Sequence, residues 1–339
     1  MKAKTRKGSV IKSLIGIVLL LALSYVLSGL FLTLEDLLHM VGQNKASRNT
    51  ELGEARYEEL KASGIPESYD IYTEEEIAAN SDLAVVKLYY FPCDGGETTD
   101  YAIVLPGGGY YECDIYKVGL PCAATLNETG YSAFVLGYRY GKYSSAYAPI
   151  EDLARAVKYI TENADEFNVN TENYTIFGFS AGGNLAGLFA SKELGYAKYG
   201  LSAPATLSLA YPWININGKI ELTGNCWQEA VTGVSQLIGN KFLLGKFFPD
   251  EESKAGVCVQ NHVDADYPPT YIMQGDNDFV VPHKSNSDVM VEALAAAGVT
   301  YRYNLCEGVN HGCGLGIGTT AEGWVEEAVS FWRNTVENK

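Results

Sequence analysis

The chain has 339 residues, 47% of them hydrophobic and 12% aromatic, which is ample material for a substantial core. Its 25 Lys and Arg stand against 41 Asp and Glu, a formal net charge of −16. Since Lys2, Lys4, Arg6, Lys7 and Lys12 precede the core, the body is more acidic still, and that excludes nucleic acid as a partner, because phosphate binding needs clustered cations.

In chain order, residues 1–13 form a basic tail. Leu14 to Leu34, LIGIVLLLALSYVLSGLFLTL, carries no charge and is long enough to span a bilayer as a helix. Cations before it and Glu35 and Asp36 after it place the tail in the cytoplasm and the remainder outside, anchored to the membrane. A cleaved signal peptide, which would leave the domain secreted, is the competing reading; its apolar region is usually shorter, and no convincing A-x-A site follows. Residues 35–82 are polar, with helical stretches such as RYEELKASG and TEEEIAAN, and read as a stalk and lead-in.

From Leu83 to the C-terminus the pattern alternates. LAVVKLYYF and YAIVL are strands by their β-branched and aromatic content, and KVGLPCAATLNETG is a helix ending at Gly130. SAFVLGYRY is a strand, and Pro149 opens a helix with Ile150, Leu153, Ala154, Val157 and Ile160 on one face. YTIFGFS, TLSLAYPW, PTYIMQGD and TYRYNLCEG are further strands; AGGNLAGLFASKEL, VMVEALAAAG and GWVEEAVSFWRNTVE are helices. This alternation predicts one α/β domain over 83–339, a mostly parallel sheet with helices on both faces. Residues 215–266 break the rhythm and read as a cap inserted over the carboxyl ends of the strands. The seven cysteines form no CxxC and no zinc-ligand spacing; outside the membrane some could pair, Cys113 with Cys122 for instance.

The chemistry centres on GFSAGG. Gly178, Ser180 and Gly182 form G-x-S-x-G between a strand and a helix, the context of a nucleophile elbow. The base must come from four histidines. His39 adjoins the apolar segment, His262 lies in the cap region, and His283 reads as a surface residue. His311, in the glycine-bracketed loop after the last strand, stands at the same sheet edge as Ser180. The acid that orients it belongs after the penultimate strand, where QGDNDFVVP offers Asp276 and Asp278; Asp278 fits, and Asp276 reads as a turn cap. PGGGY, Pro106 to Tyr110, supplies backbone N–H groups; Gly108 and Gly109, joined by Ala181, are the candidate oxyanion donors.

Together these motifs resemble the α/β-hydrolase superfamily, and within it the hormone-sensitive-lipase-type and bacterial carbohydrate (acetyl, feruloyl) esterases. GFSAGGNLA is similar to that branch's nucleophile motif, and PGGGY resembles its HGGG loop with Pro106 where many members have histidine. The resemblance implies a serine ester hydrolase acting on short-acyl esters, with carbohydrate the favoured alcohol and no metal or organic cofactor. Tyr110, Tyr111, Trp213 and Trp227 are candidate substrate contacts, because aromatic faces suit sugar rings. A peptidase or lipase of the same fold, and a catalytically silent anchored binding protein, are the alternatives.

Overall fold

A computed structural model describes residues 46–95, 98–144, 147–218 and 225–338. Its strands are β1 Lys87–Phe91, β2 Tyr101–Leu105, β3 Ser132–Gly137, β4 Thr175–Phe179, β5 Thr206–Ala210, β6 Thr270–Gly275 and β7 Tyr301–Cys306. Its main helices are α1 Ala46–Ala62, α2 Glu74–Ala79, α3 Leu120–Glu128, α4 Ala148–Glu162, α5 Ala181–Ala190, α6 Cys226–Leu244, α7 Ser287–Ala297 and α8 Trp324–Glu337.

The strands form one sheet in the order β1-β3-β2-β4-β5-β6-β7. Only β1 runs antiparallel to its neighbour, with Leu88 opposite Leu136; every other pair is parallel, as in Phe177 opposite Ser208. Alternate side chains feed two cores. Ile103, Ile176, Leu207, Leu209 and Ile272 pack with α4, α5 and α7, whereas Val104, Phe177, Phe179, Tyr271 and Met273 pack with α1, α3 and α8. Burial on both faces is why β2 to β6 read as nearly continuous apolar runs. The parallel strands all end at one edge, so the loops after β2, β4, β6 and β7 gather there.

Three expectations are corrected. Residues 46–62 are not a stalk: α1 lies on the domain, with Tyr57 and Leu60 each 5% exposed and the Tyr57 ring stacked 6.4 Å from Phe91. Gly53 permits the approach, since a Cβ there would stand 2.4 Å from Pro121 N. Three contact positions among charged neighbours make too narrow a stripe to reveal docking in the sequence. Second, residues 257–259 belong to the body rather than to a cap. Val259 N–H donates to Ile214 O at 3.0 Å, and Val257, Cys258 and Val259 are buried. Third, Cys113 and Cys122 are not paired with each other; among the described residues both are free thiols, as are Cys258 and Cys306. Burial pushes the Cys113 and Cys122 thiols far up and Cys306 up to about 11, which favours the protonated thiol over the thiolate.

The rest of the inserted interval meets the edge where the strands end. Gly239 of α6 lies against the Trp213 indole, Thr232 Oγ1 donates to Phe279 O in the acid loop, and Phe242 stands 5.1 Å from the Tyr111 ring. Among the described residues no helix is long and apolar enough to cross a membrane; the segment 14–34 lies outside them.

Candidate active site

Ser180 sits on the sharp turn from β4 into α5 with φ 51° and ψ −113°, a backbone conformation that L residues rarely adopt. The surrounding hydrogen bonds hold it there. Ser180 N–H donates to Ala210 O at 3.0 Å, and its carbonyl accepts from Gly183, Asn184 and Trp213 at 3.0, 3.2 and 3.0 Å. The motif's glycines are steric necessities. A Cβ on Gly178 would lie 2.6 Å from Gly182 O, and one on Gly182 would lie 2.1 Å from Leu105 O.

Ser180 Oγ is 2.9 Å from His311 Nε2, and His311 Nδ1 is 2.8 Å from Asp278 Oδ2. A carboxylate only accepts, so Nδ1 carries the proton and Nε2 offers its lone pair to the Ser180 hydroxyl. Asp278 is 4% exposed, and its Oδ1 accepts the N–H groups of Val280 and Val281 at 2.9 and 2.8 Å. The tight turn GDNDFVV thus builds its own cradle for the carboxylate. Asp276 does not cap its own turn: its Oδ1 accepts Gly308 N–H at 2.7 Å, bracing the acid loop against the chain that leads to His311.

The loop after β2 has Gly108 and Gly109 at φ +122° and +60°. Among the described residues the N–H groups of Gly108, Gly109 and Ala181 donate to no backbone carbonyl. Ala181 opens a helix, so its N–H also carries the positive end of the dipole. Pro106 O accepts the Tyr138 hydroxyl at 2.7 Å, which fixes the start of the loop. A Cβ on Gly108 would stand 2.3 Å from Glu112 O, so that glycine is required by space as well as by dihedral. Burial beside Asp114 raises the Glu112 carboxyl above the ordinary carboxylate range.

The four candidate aromatic contacts separate. Tyr110 faces inward, fully buried, and its hydroxyl donates to Asn184 Oδ1 at 2.9 Å, so it presents no surface to a substrate. It ties the loop after β2 to α5. Trp213 is 7% exposed and packs under α6. Tyr111 is 54% exposed at the rim. Trp227 lies at the start of α6, with its side chain outside the described ones.

Three residues at the site escaped the sequence reading. Tyr211 adopts φ 37°, fully buried, with its ring edge-on to the His311 imidazole at 4.9 Å and its hydroxyl accepting Gly314 N–H at 3.3 Å. Asn184 joins Tyr110 to Val257 O. Gln274 donates to Asp278 Oδ2 at 2.9 Å. Nothing in local pattern marks them: Tyr211 and Asn184 act across the fold, and Gln274, four residues before Asp278, reads as the polar end of an apolar strand. Among the described residues no cluster of His, Cys, Asp and Glu could hold a metal ion.

A doubly covered parallel sheet with a strained serine elbow after its central strand, and with acid and histidine loops at the same edge, is an α/β-hydrolase fold. Within that fold the chain belongs to the BD-FAE family, whose profile matches residues 88–294. Endo-1,4-beta-xylanase B of Butyrivibrio fibrisolvens is 28% identical over 235 residues, 66% of this chain and 34% of that protein. The acetylxylan esterase of Xylanibacter ruminicola is 24% identical over 213 residues, 62% of this chain and 40% of that one. The chain therefore spans between 34% and 40% of the length of these curated relatives. Among solved structures, an acetyl ester-xyloside bifunctional hydrolase from Caldicellulosiruptor lactoaceticus aligns with TM-score 0.65 at 25% identity, covering 79% of this chain and 95% of its own.

Proposed function

We propose that the chain is a serine carboxylic-ester hydrolase that removes short acyl groups, acetyl above all, from carbohydrate. The observation that carries the reading is the continuous path Ser180 Oγ to His311 Nε2 at 2.9 Å and His311 Nδ1 to Asp278 Oδ2 at 2.8 Å. Ser180 Oγ attacks the ester carbonyl while its proton passes to Nε2. Asp278 fixes the imidazole's tautomer and stabilises the imidazolium that forms. The carbonyl oxygen becomes an oxyanion within reach of the Gly108, Gly109 and Ala181 N–H groups, each such donor contributing about 3 to 4 kcal/mol of transition-state stabilisation. The imidazolium then protonates the departing alcohol, leaving an acyl-serine. Water, deprotonated by Nε2, attacks that ester, and the acid and free serine separate.

Membership in the BD-FAE family and the acetyl-ester relatives support acetylated carbohydrate as the substrate class. The exposed Tyr111 ring at the rim adds a face on which a sugar could lie. The charge-free segment 14–34 with its basic flank supports a membrane-anchored chain whose domain lies outside the cytoplasm; release of the chain from membranes by alkaline carbonate would refute this. The enzymatic reading is tested with p-nitrophenyl esters of rising acyl length beside acetylated xylo-oligosaccharides. It predicts a preference for acetate, and loss of at least ~10³-fold in kcat for Ser180→Ala with an unchanged melting temperature. Turnover persisting in that variant would overturn it.

A further inference from the structure

The path of hydrogen bonds does not end at Asp278. Gln274, the penultimate residue of β6, is fully buried, and its Nε2 donates to Asp278 Oδ2 at 2.9 Å. That is the oxygen that accepts His311 Nδ1. The Gln274 amide is held in turn: Ser287, fully buried in the first turn of α7, donates its hydroxyl to Gln274 Oε1 at 2.8 Å. The orientation follows from chemistry. Turning the amide over would set its oxygen against a carboxylate oxygen, two acceptors with no proton between them.

We infer that Gln274, oriented by Ser287, is a positioning residue of the catalytic relay: it fixes the place and charge distribution of Asp278 Oδ2 and through it the strength of the bond to His311. The inference rests on the serine-hydrolase reading above. Two features favour this over a purely structural role. Oδ1 is already held by the Val280 and Val281 N–H groups, so the loop has anchors without Gln274. Oδ2 accepts Gln274 Nε2–H as well as His311 Nδ1–H, and the Gln274 bond is buried, with Asp278 4% exposed. A second donor on Oδ2 draws charge from it, so the hold on His311 Nδ1–H is weaker than a bare carboxylate's. Its length and direction are fixed by an amide that cannot turn. The other Gln274 approaches, to Gly275 O and Val281 O, are 3.4 Å each and add little.

The test compares the parent with Gln274→Met, Ser287→Ala and the double variant, reading kcat, KM, and the downfield proton resonance of the His311 Nδ1–H. Gln274→Met keeps side-chain volume and loses the donor. It is expected to lower kcat by about tenfold or more with KM within about twofold, and to shift the resonance. Ser287→Ala, which frees the amide to turn, lowers kcat less. The double variant should match Gln274→Met within about twofold, because the two act through one oxygen. A folded Gln274→Met with parental kcat and an unmoved resonance overturns the inference, as do losses that add in full. If Gln274→Met fails to fold, Ser287→Ala decides alone: a shifted resonance with reduced kcat supports the relay, and parental values for both overturn it. Fluorophosphonate labelling separates the two levels. A parent protein that takes no label at Ser180 sinks the hydrolase reading itself; normal labelling with unaffected variants sinks only this inference.

Discussion

Gly182→Ala sets two effects against each other, and the geometry decides between them. Gly182 lies in the first turn of α5, where alanine is the better helix former by about 1 kcal/mol. The added Cβ, however, would stand 2.1 Å from Leu105 O and 2.5 Å from Pro106 O. Carbon and oxygen ordinarily meet at about 3.4 Å, so roughly 1 Å of movement is required of backbone rather than of a flexible side chain. Overpacking of this kind costs about 1 to 3 kcal/mol, which cancels or outweighs the helix gain. The atoms that must move begin the Gly107–Gly109 turn, so the larger consequence falls on catalysis. A displacement of ~1 Å in the proposed oxyanion donors corresponds to about a hundredfold loss in kcat. The expected outcome is a modest fall in melting temperature with a kcat on p-nitrophenyl acetate lowered about a hundredfold. A variant with parental kcat, or one more stable than the parent, would refute the steric account of the elbow.

Three further perturbations probe other parts of the fold. Arg139→Met strips the cationic partner from Asp152, a fully buried carboxylate that Arg139 Nε reaches at 2.9 and 3.0 Å, and leaves it only the Tyr72 hydroxyl and the residue-139 N–H, each at 2.8 Å. Leaving that charge buried should cost about 3 to 5 kcal/mol and lower the melting temperature by ~10 °C, read by calorimetry. Tyr57→Ala removes a ring packed on Phe91 and should cost about 3 to 5 kcal/mol if α1 is part of the domain; a melting temperature unchanged within error would return residues 46–62 to the role of a stalk. Glu112, its carboxyl raised by burial, keeps its proton in the folded chain at pH values where the unfolded chain has lost it. Stability should therefore fall as pH rises through that window. Glu112→Gln should match the parent in acid and exceed it at neutral pH, measured by urea denaturation; equal stability at both would contradict the shift.

What was legible in the sequence was whatever is encoded locally. The strands between Tyr101 and Gly275 announced themselves because burial on both faces leaves unbroken apolar runs. The serine elbow did so because its strain demands glycine at fixed offsets. Chain order then drew attention to Asp278 and His311. Features that depend on distant partners were hidden. The docking of α1 turns on Gly53 meeting Pro121, a contact no periodicity reveals. Tyr110, adjacent to the glycine loop, looked available to a ligand; its positive φ of 58° instead turns the ring inward to Asn184. Tyr211 resembles an ordinary strand end until the fold sets it beside His311; Gln274 is close to Asp278 in the chain, but only the turn between them aims its amide at the carboxylate.

Mass spectrometry of an acid-quenched reaction bears most directly on the account. Mixed with excess p-nitrophenyl acetate and quenched within the first turnovers, the protein should carry a single acetyl group, and peptide mapping should place it on Ser180. An acetyl group found elsewhere, or rapid hydrolysis with no acylated peptide in any quench, would contradict a mechanism built on that hydroxyl.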